Sequence, residues 1–432
     1  MFENNRESQI RALKKILDTH LWAKLLIALA LGVGAGFLLS HSSDYLSEKN
    51  IKLLAEWIAL PGSLYLTLIQ MVIVPLILSS LILSLTNIAK LTQARSVALS
   101  SLFFITISTL VSIFLGILIV NVFKPGVAIQ DAAMAFGKIE IPERGAGLFS
   151  FTPDSILNLI PVNPLATLVK GDLLDVLILA LIFGLVISRM ERSKVATIVD
   201  FLEGTQALCM QLITWTIKLA PYAVFGLMVR SVVSSGSSVL VGMFGYLLCV
   251  FIGFFLIILC WLVWLSIIGV NPVDFIKKIK EPLLLAFSLS SSAATMPTTI
   301  KTAKNELNIP SELADFLIPI GVAINMAGSA LWQSSATFFL AQAFGGDIDF
   351  SVTITVVILT IGATIGAPGI PGAGVGVLNT TLKSVGVPAS GIPLILGVDR
   401  LVDMGCTVIN VMGDLVMCKT TLWFVNRKKS SH

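Results

Sequence analysis

Residues 397–414 read GVDRLVDMGCTVINVMGD and set three carboxylates, Asp399, Asp403 and Asp414, in an otherwise apolar C-terminal stretch. At about 100° of rotation per residue, Asp399, Asp403, Cys406, Thr407, Asn410 and Asp414 share an arc of roughly 100° on one helical face. Leu401, Val408, Ile409 and Val411 lie mostly elsewhere. A carboxylate at mid-bilayer costs about 2.5–3.5 kcal/mol, so three on one helix demand partners, ions or a water-filled cavity. A plainer reading, with Asp399 and Asp414 at opposite interfaces and only Asp403 deep, makes the alignment of Thr407 and Asn410 on the same stripe a coincidence.

The surrounding chain supplies a membrane for that helix. Over 432 residues, 56% are hydrophobic and 12% charged, with a mean hydropathy of +0.93, which marks an all-α polytopic membrane protein and not a soluble multidomain enzyme. Residues 1–20 read as a short amphipathic cytoplasmic lead-in with no cleavable signal, because the apolar run at 21–40 is long enough to span. The net charge of +4 is dispersed among loops and forms no nucleic-acid patch. Cys209, Cys249, Cys260, Cys406 and Cys418 lie in apolar runs without CxxC spacing, which argues against a disulfide framework or a zinc site. His20, His41 and His432 are peripheral, so no histidine relay is expected in the membrane.

Uncharged runs place spans at 25–43, 57–89, 96–123, within 155–188, at 204–229 and at 231–273. Basic clusters at the N-terminus, Lys90/Arg95, Arg189/Arg192/Lys194, Lys277/Lys278/Lys280, Lys301/Lys304 and Arg427/Lys428/Lys429 then fall on the cytoplasmic side. Two consecutive basic clusters flank 282–300, so this segment must enter and return, turning within SLSSSAATMPTT at the serine run and Pro297. The acidic GGDIDF loop after 316–343 suits the outside, and a final helix from about 390 supplies the one remaining crossing. Residues 350–382 must therefore also be re-entrant, broken at 366–372, GAPGIPG. Eight spans and two helical hairpins entering from opposite faces are the pattern of an inverted-repeat transporter with its site at the midplane. Residues 124–160 read as an external connection.

The segment 318–333, IPIGVAINMAGSALWQ, interrupts an apolar face with Gly321, Asn325, Gly328 and Ser329. Unwinding at Asn325 to Ser329 frees carbonyls which, with a carboxylate such as Asp414, make a hard-oxygen site suited to Na⁺; small-residue packing is the alternative. Gly32, Gly34 and Gly36 carry only the packing reading. Hairpin tips offer helix N-termini to a carboxylate, at Ser291 and Ser292 and at the amides around Ile370 to Gly372, where Pro371 itself has no N–H to give.

In this order, SSSAATMP, NMAGSAL, GAPGIPGAG and VDRLVDMGCTVINVMGD resemble the dicarboxylate/amino acid:cation symporter family, the glutamate and neutral amino acid transporters. The likeness extends to LIQMVIVPLILSSL at 68–81, to 160–188 and to KLAPYAVFGLM. It implies a homotrimer; the expected location is the plasma membrane, of bacterial inner-membrane type, with both termini put in the cytoplasm by their basic clusters. Each protomer would have a scaffold at about 21–90 and 150–230 and an elevator-like transport domain at about 96–123 and 237–425.

Carried over by residue, the resemblance makes Asp403 the partner of the substrate ammonium and Thr407 and Asn410 polar contacts to the amino acid. Ser291 or Ser292 with the hairpin amides would take the α-carboxylate, and Ser329 would look toward the substrate side chain. Gly321, Asn325, Asn410 and Asp414 match one sodium site. Ala323, Thr364, Ile365 and Ala367 match a second, and Ser108 and Thr109 the hydroxyls of a third.

Departures from the family pattern define the substrate reading. Where acidic-substrate members carry an arginine for the side-chain carboxylate, this chain has Cys406, removing a bidentate partner. NMDG is replaced by NMAG, so Ala327 takes the place of a third-site aspartate. Ser290 and Met404 stand where archaeal and animal members carry a further arginine. Arg400 is a candidate substitute, although at about 120° from Cys406 around the helix and roughly 9 Å along it, it points poorly.

The expected function is symport of a small neutral amino acid with Na⁺. The rivals are symport of glutamate, aspartate or a C4-dicarboxylate such as succinate, coupling to a proton through a carboxylate such as Asp399, and a channel or sensor. No nucleophile stands beside a base, so an enzyme is not expected.

Overall fold

The computed structural model describes residues 21–44, 47–89, 95–130, 160–170, 173–235, 238–346, 350–366 and 373–430. The lead-in 1–20, most of the 124–160 connection and the apex 367–372 of the second hairpin lie outside them.

The described residues are helical throughout, without a strand. The long helices are α1 (Leu21–Ser40), α2 (Glu48–Ala89) and α3 (Arg95–Phe123), then a short α4 (Pro164–Lys170), α5 (Leu173–Arg189), α6 (Arg192–Ile217), α7 (Ala220–Ser235) and α8 (Ser238–Ile267). The C-terminal half comprises α9 (Pro272–Leu289), α10 (Ser292–Asn305), α11 (Ser311–Ile324), α12 (Ala327–Ala343), α13 (Phe350–Gly366), α14 (Ala373–Ser384) and α15 (Pro393–Ser430).

Among the described residues five helices are long and apolar enough to cross a membrane, and α6 with α7, bent by 59°, makes a sixth candidate. The apolar run at 204–229 is therefore not one straight helix. It breaks at Lys218–Leu219, where Pro221 has no N–H to give the Ile217 carbonyl four residues back.

Two packing groups result. Helices α1, α2, α5, α6 and α7 pack on one another, and α3 with α8 to α15 forms the second group. Contacts of α7 with α15, and of α2 with α13 and α14, join the groups. On α1, Gly32 and Gly36 lie against α7: a Cβ at Gly32 would meet the Phe225 carbonyl, and one at Gly36 the Val232 side chain, while Gly34 faces open space. At the centre of the second group is α15, whose most apolar stretch is 83% buried against 33% for α8.

Each hairpin is two helices packed together across a break, α9 with α10 and α13 with α14. Helix α9 starts at an Asn271 cap with Pro272 behind it, the Asn271 side chain accepting from Val273 N and Asp274 N. It ends at Ser290 in the left-handed region (φ +49°), and Ser291 caps α10 by accepting from Ala294 N at 3.2 Å. The first hairpin is thus longer than 282–300, running from 272 to 305, and turns at Ser290–Ser291 alone. Pro297 lies inside α10.

Candidate functional site

Helix α15 is continuous through 397–414, so the polar stripe keeps its register and meets the breaks of its neighbours. A cavity of about 50 Å³ opens against it. From α15 it is lined by Asp399, Asp403, Cys406, Thr407 and Asn410; from the first hairpin by Ser290 and Ser292; and from the α11–α12 break by Met326 and Ser329. Trp332 and Gln333 of α12, Ala363 and Thr364 of α13, and Gly374, Val375 and Val377 of α14 close it.

Asp403 is already paired: Arg400 Nη1 donates to its Oδ2 at 3.0 Å, one turn away on the same helix. Arg400, the candidate substitute for an arginine at 406, is engaged with Asp403 and does not line the cavity. The Cys406 thiol instead donates to the Gly328 carbonyl at 3.4 Å, and a Cβ on Gly328 would collide with the Cys406 main chain. Thr407 Oγ1 donates to the Asp403 carbonyl at 2.9 Å. Asn410 is divided between two tasks. Its Oδ1 accepts from Gly328 N at 2.8 Å, supplying from another helix a cap for α12, and its Nδ2 lies 3.3 Å from both Met326 Sδ and Ser329 Oγ.

Below the cavity, the chain leaves the helix at Asn325 (ψ 74°) and Met326 (ψ 47°), which frees carbonyls in the last turn of α11. Asp414 is fully buried beside this break. Its Oδ1 accepts from Asn325 Nδ2 at 2.9 Å, and a Cβ at Gly321 would run into that oxygen, so only glycine fits there. Asp414 Oδ2 and Asn325 Oδ1 have no hydrogen-bond partner among the described residues. Two orphaned buried oxygens, one of them on a carboxyl group, beside freed carbonyls form an all-oxygen donor set that fits Na⁺. With its side chain spent on the α12 cap, Asn410 offers a cation only its main-chain carbonyl.

The remaining candidates are scattered more widely. Ser291 is the α10 cap and does not line the cavity. Thr364 is buried on the cavity wall and donates to the Ile361 carbonyl, Ala323 is exposed on α11, and Ile365 lies in the last turn of α13. Ala367, Ile370, Pro371 and Gly372 lie outside the described residues. Ser108 and Thr109 are buried on α3, which packs on α12, and the hydroxyls of Ser108 and of Ser112 one turn on have no partner among the described residues. Ala327 brings no carboxylate there.

Sequence reasoning missed Trp332, Gln333, Val375 and Val377 as cavity walls. Trp332 and Gln333 follow Ser329 by three and four positions on α12, which is the available signal.

The fold and this site together define an α-helical membrane protein in which a cavity of mixed polar and apolar lining adjoins a cation-suited helix break. A family model described as the sodium:dicarboxylate symporter family matches residues 21–421, and the chain belongs to that family. It is 33% identical to a proton/sodium-glutamate symport protein of Bacillus subtilis, over 82% of each chain. It is 30% identical to a C4-dicarboxylate transport protein of Paracidovorax citrulli, over 94% of this chain and 88% of that one. The neutral amino acid transporter B(0) of Homo sapiens is also 30% identical, over 94% of this chain and 79% of its own. The protein is an integral membrane transporter and not an enzyme, a symporter of dicarboxylates or amino acids coupled to Na⁺ or H⁺.

Proposed function

We propose that the protein is a Na⁺-coupled symporter of a small neutral amino acid of the serine, alanine or threonine kind. The observation that carries this reading is the charge of the cavity wall: Asp399 and Asp403 line it, and no lysine, arginine or histidine among the described residues does. Such a wall attracts an ammonium group and repels a second carboxylate, whose burial without a cation costs several kcal/mol.

Asp403 takes the ammonium, and Ser292 at the N-terminus of α10 with Ser290 beside it takes the α-carboxylate through hydroxyls and helix-terminal N–H groups. Thr407, Asn410 and Ser329 orient the backbone of the amino acid, and Cys406 forms a small, weakly polar wall for its side chain. The coupling ion sits at Asp414, Asn325 and Gly321. A second cation is held by the last turns of α11 and α13, at Ala323, Thr364 and Ile365, with Ala367 beyond them as a further candidate, and the N–H groups of Ile370 and Gly372 are candidates for the substrate carboxylate. The absence of a carboxylate at Ala327 leaves the Ser108 and Thr109 hydroxyls to hold water and no third sodium.

The packing groups support a division into a scaffold (α1, α2, α5–α7) and a moving transport domain (α3, α8–α15), acting as an elevator in a homotrimer. In this reading the chain makes eight crossings with two re-entrant hairpins, both termini are cytoplasmic and the membrane is a bacterial inner membrane. The acidic-substrate alternative draws its support from the glutamate and C4-dicarboxylate relatives. Displacement of labelled L-serine from the purified protein separates the two: alanine and threonine compete under the neutral reading, and stronger displacement by glutamate or succinate overturns it.

A further inference from the structure

We infer that Arg400 is the resident counter-ion of Asp403 in the empty carrier, and that a substrate ammonium binds by displacing its guanidinium. This rests on the assignment of the ammonium to Asp403 under the proposed function. The guanidinium is 3.0 Å from Asp403 Oδ2, with side-chain exposures of 17% for Arg400 and 24% for Asp403. Asp403 lines the cavity and Arg400 does not, so a ligand ammonium in the cavity and the guanidinium outside it compete for one carboxylate. A buried carboxylate without a partner takes up a proton, and a permanently charged neighbour prevents that.

Asp399 gives the displaced guanidinium somewhere to go. It precedes Arg400 in the chain, lines the cavity and has no side-chain hydrogen bond or ion pair among the described residues. Arg400 Nε is buried without an acceptor, so the guanidinium has an unmet donor in its present position. Asp399 and Asp403 have one guanidinium between them, and a substrate ammonium supplies the second positive group. The other titratable groups acting on these carboxylates are Tyr65 of α2, Tyr246 of α8 and Cys406 of α15 itself. The cavity residues from α9, α10, α12, α13 and α14 include none. Asp403 therefore stays ionised in the empty carrier without borrowing a proton, and returns across the membrane as one half of an ion pair.

The test is the dissociation constant of L-serine for the full-length protein in lipid nanodiscs, at saturating NaCl and from about pH 5.5 to 8.5, for the wild type, R400Q, R400K, D399N and D403N. The wild type binds with a constant that is flat over this range. In R400Q a proton replaces guanidinium as the competitor, so the constant rises about tenfold or more as the pH falls, and R400K restores the flat profile. D399N, which deprives the displaced guanidinium of its second acceptor, weakens serine binding at every pH and keeps the argument testable should R400Q not fold. A flat profile in R400Q, an R400K profile that follows R400Q, or an unchanged D399N overturns the counter-ion role. Absence of serine binding in the wild type, or normal binding by D403N, instead overturns the amino acid reading beneath it.

Discussion

Replacing Cys406 by arginine should convert the substrate charge that the cavity accepts. The present wall carries Asp399 and Asp403 and no basic side chain, and Arg400 is engaged with Asp403; arginine at 406 adds a planar, permanently charged fork on the cavity face. The side chain lost is small: a buried thiol that makes one weak hydrogen bond, to the Gly328 carbonyl at 3.4 Å. For aspartate the gain is a charge-assisted bidentate interaction, worth about 1.5–3 kcal/mol per hydrogen bond. It also relieves the desolvation of an unpaired carboxylate, so roughly 10²-fold in relative affinity is expected after the loss of cavity volume. Wild type and C406R are compared by displacement of labelled serine with aspartate, glutamate, serine and alanine. The variant should bind aspartate about 10²-fold better relative to serine than the wild type does. A folded C406R that still excludes aspartate refutes the reasoning, as does a wild type that aspartate blocks better than serine; Arg400 then becomes the residue to mutate.

Other substitutions address the cation side. Asp414→Asn keeps an acceptor for Asn325 Nδ2 and so should fold, while apparent Na⁺ affinity falls about 10- to 100-fold because a charged ligand to a hard cation becomes neutral; unchanged sodium dependence of uptake removes Asp414 from the site. Gly321→Ala drives a methyl group into Asp414 Oδ1, with an expected destabilisation of about 1–3 kcal/mol and weaker Na⁺ binding, read by thermal melts across a sodium titration. Ala327→Asp should add a cation requirement near Ser108 and Thr109, visible as a steeper sodium dependence of uptake; an unchanged Hill slope in a folded variant counts against that placement.

The parts legible in the sequence are those set by periodicity and by backbone interruption. The stripe at 399–414 was readable because six polar residues repeat on one helical face, and the break at Asn325–Met326 because asparagine and glycines cluster in an apolar segment. The first hairpin's turn was only half legible. A serine held at φ +49° leaves no mark in composition, since glycine is the usual left-handed terminator, and Pro297 drew attention away from Ser290–Ser291. Measuring Arg400 against Cys406 hid its pairing with Asp403, although an arginine three residues before an aspartate on a helix is a pairing spacing in itself. The far walls at Trp332, Val375 and Val377 were beyond reach, because apolar periodicity does not say which apolar residues face a cavity and which face a neighbouring helix.

The central claim is that an inward Na⁺ gradient drives accumulation of a small neutral amino acid through Asp414 and Asp403. Its most direct test is uptake of labelled L-serine into proteoliposomes, with and without that gradient, at equal pH on both sides. The account predicts accumulation above equilibrium only with the Na⁺ gradient and no accumulation in Asp414→Asn. Serine accumulation driven by a pH gradient alone, or succinate accumulated while serine is not, would contradict it.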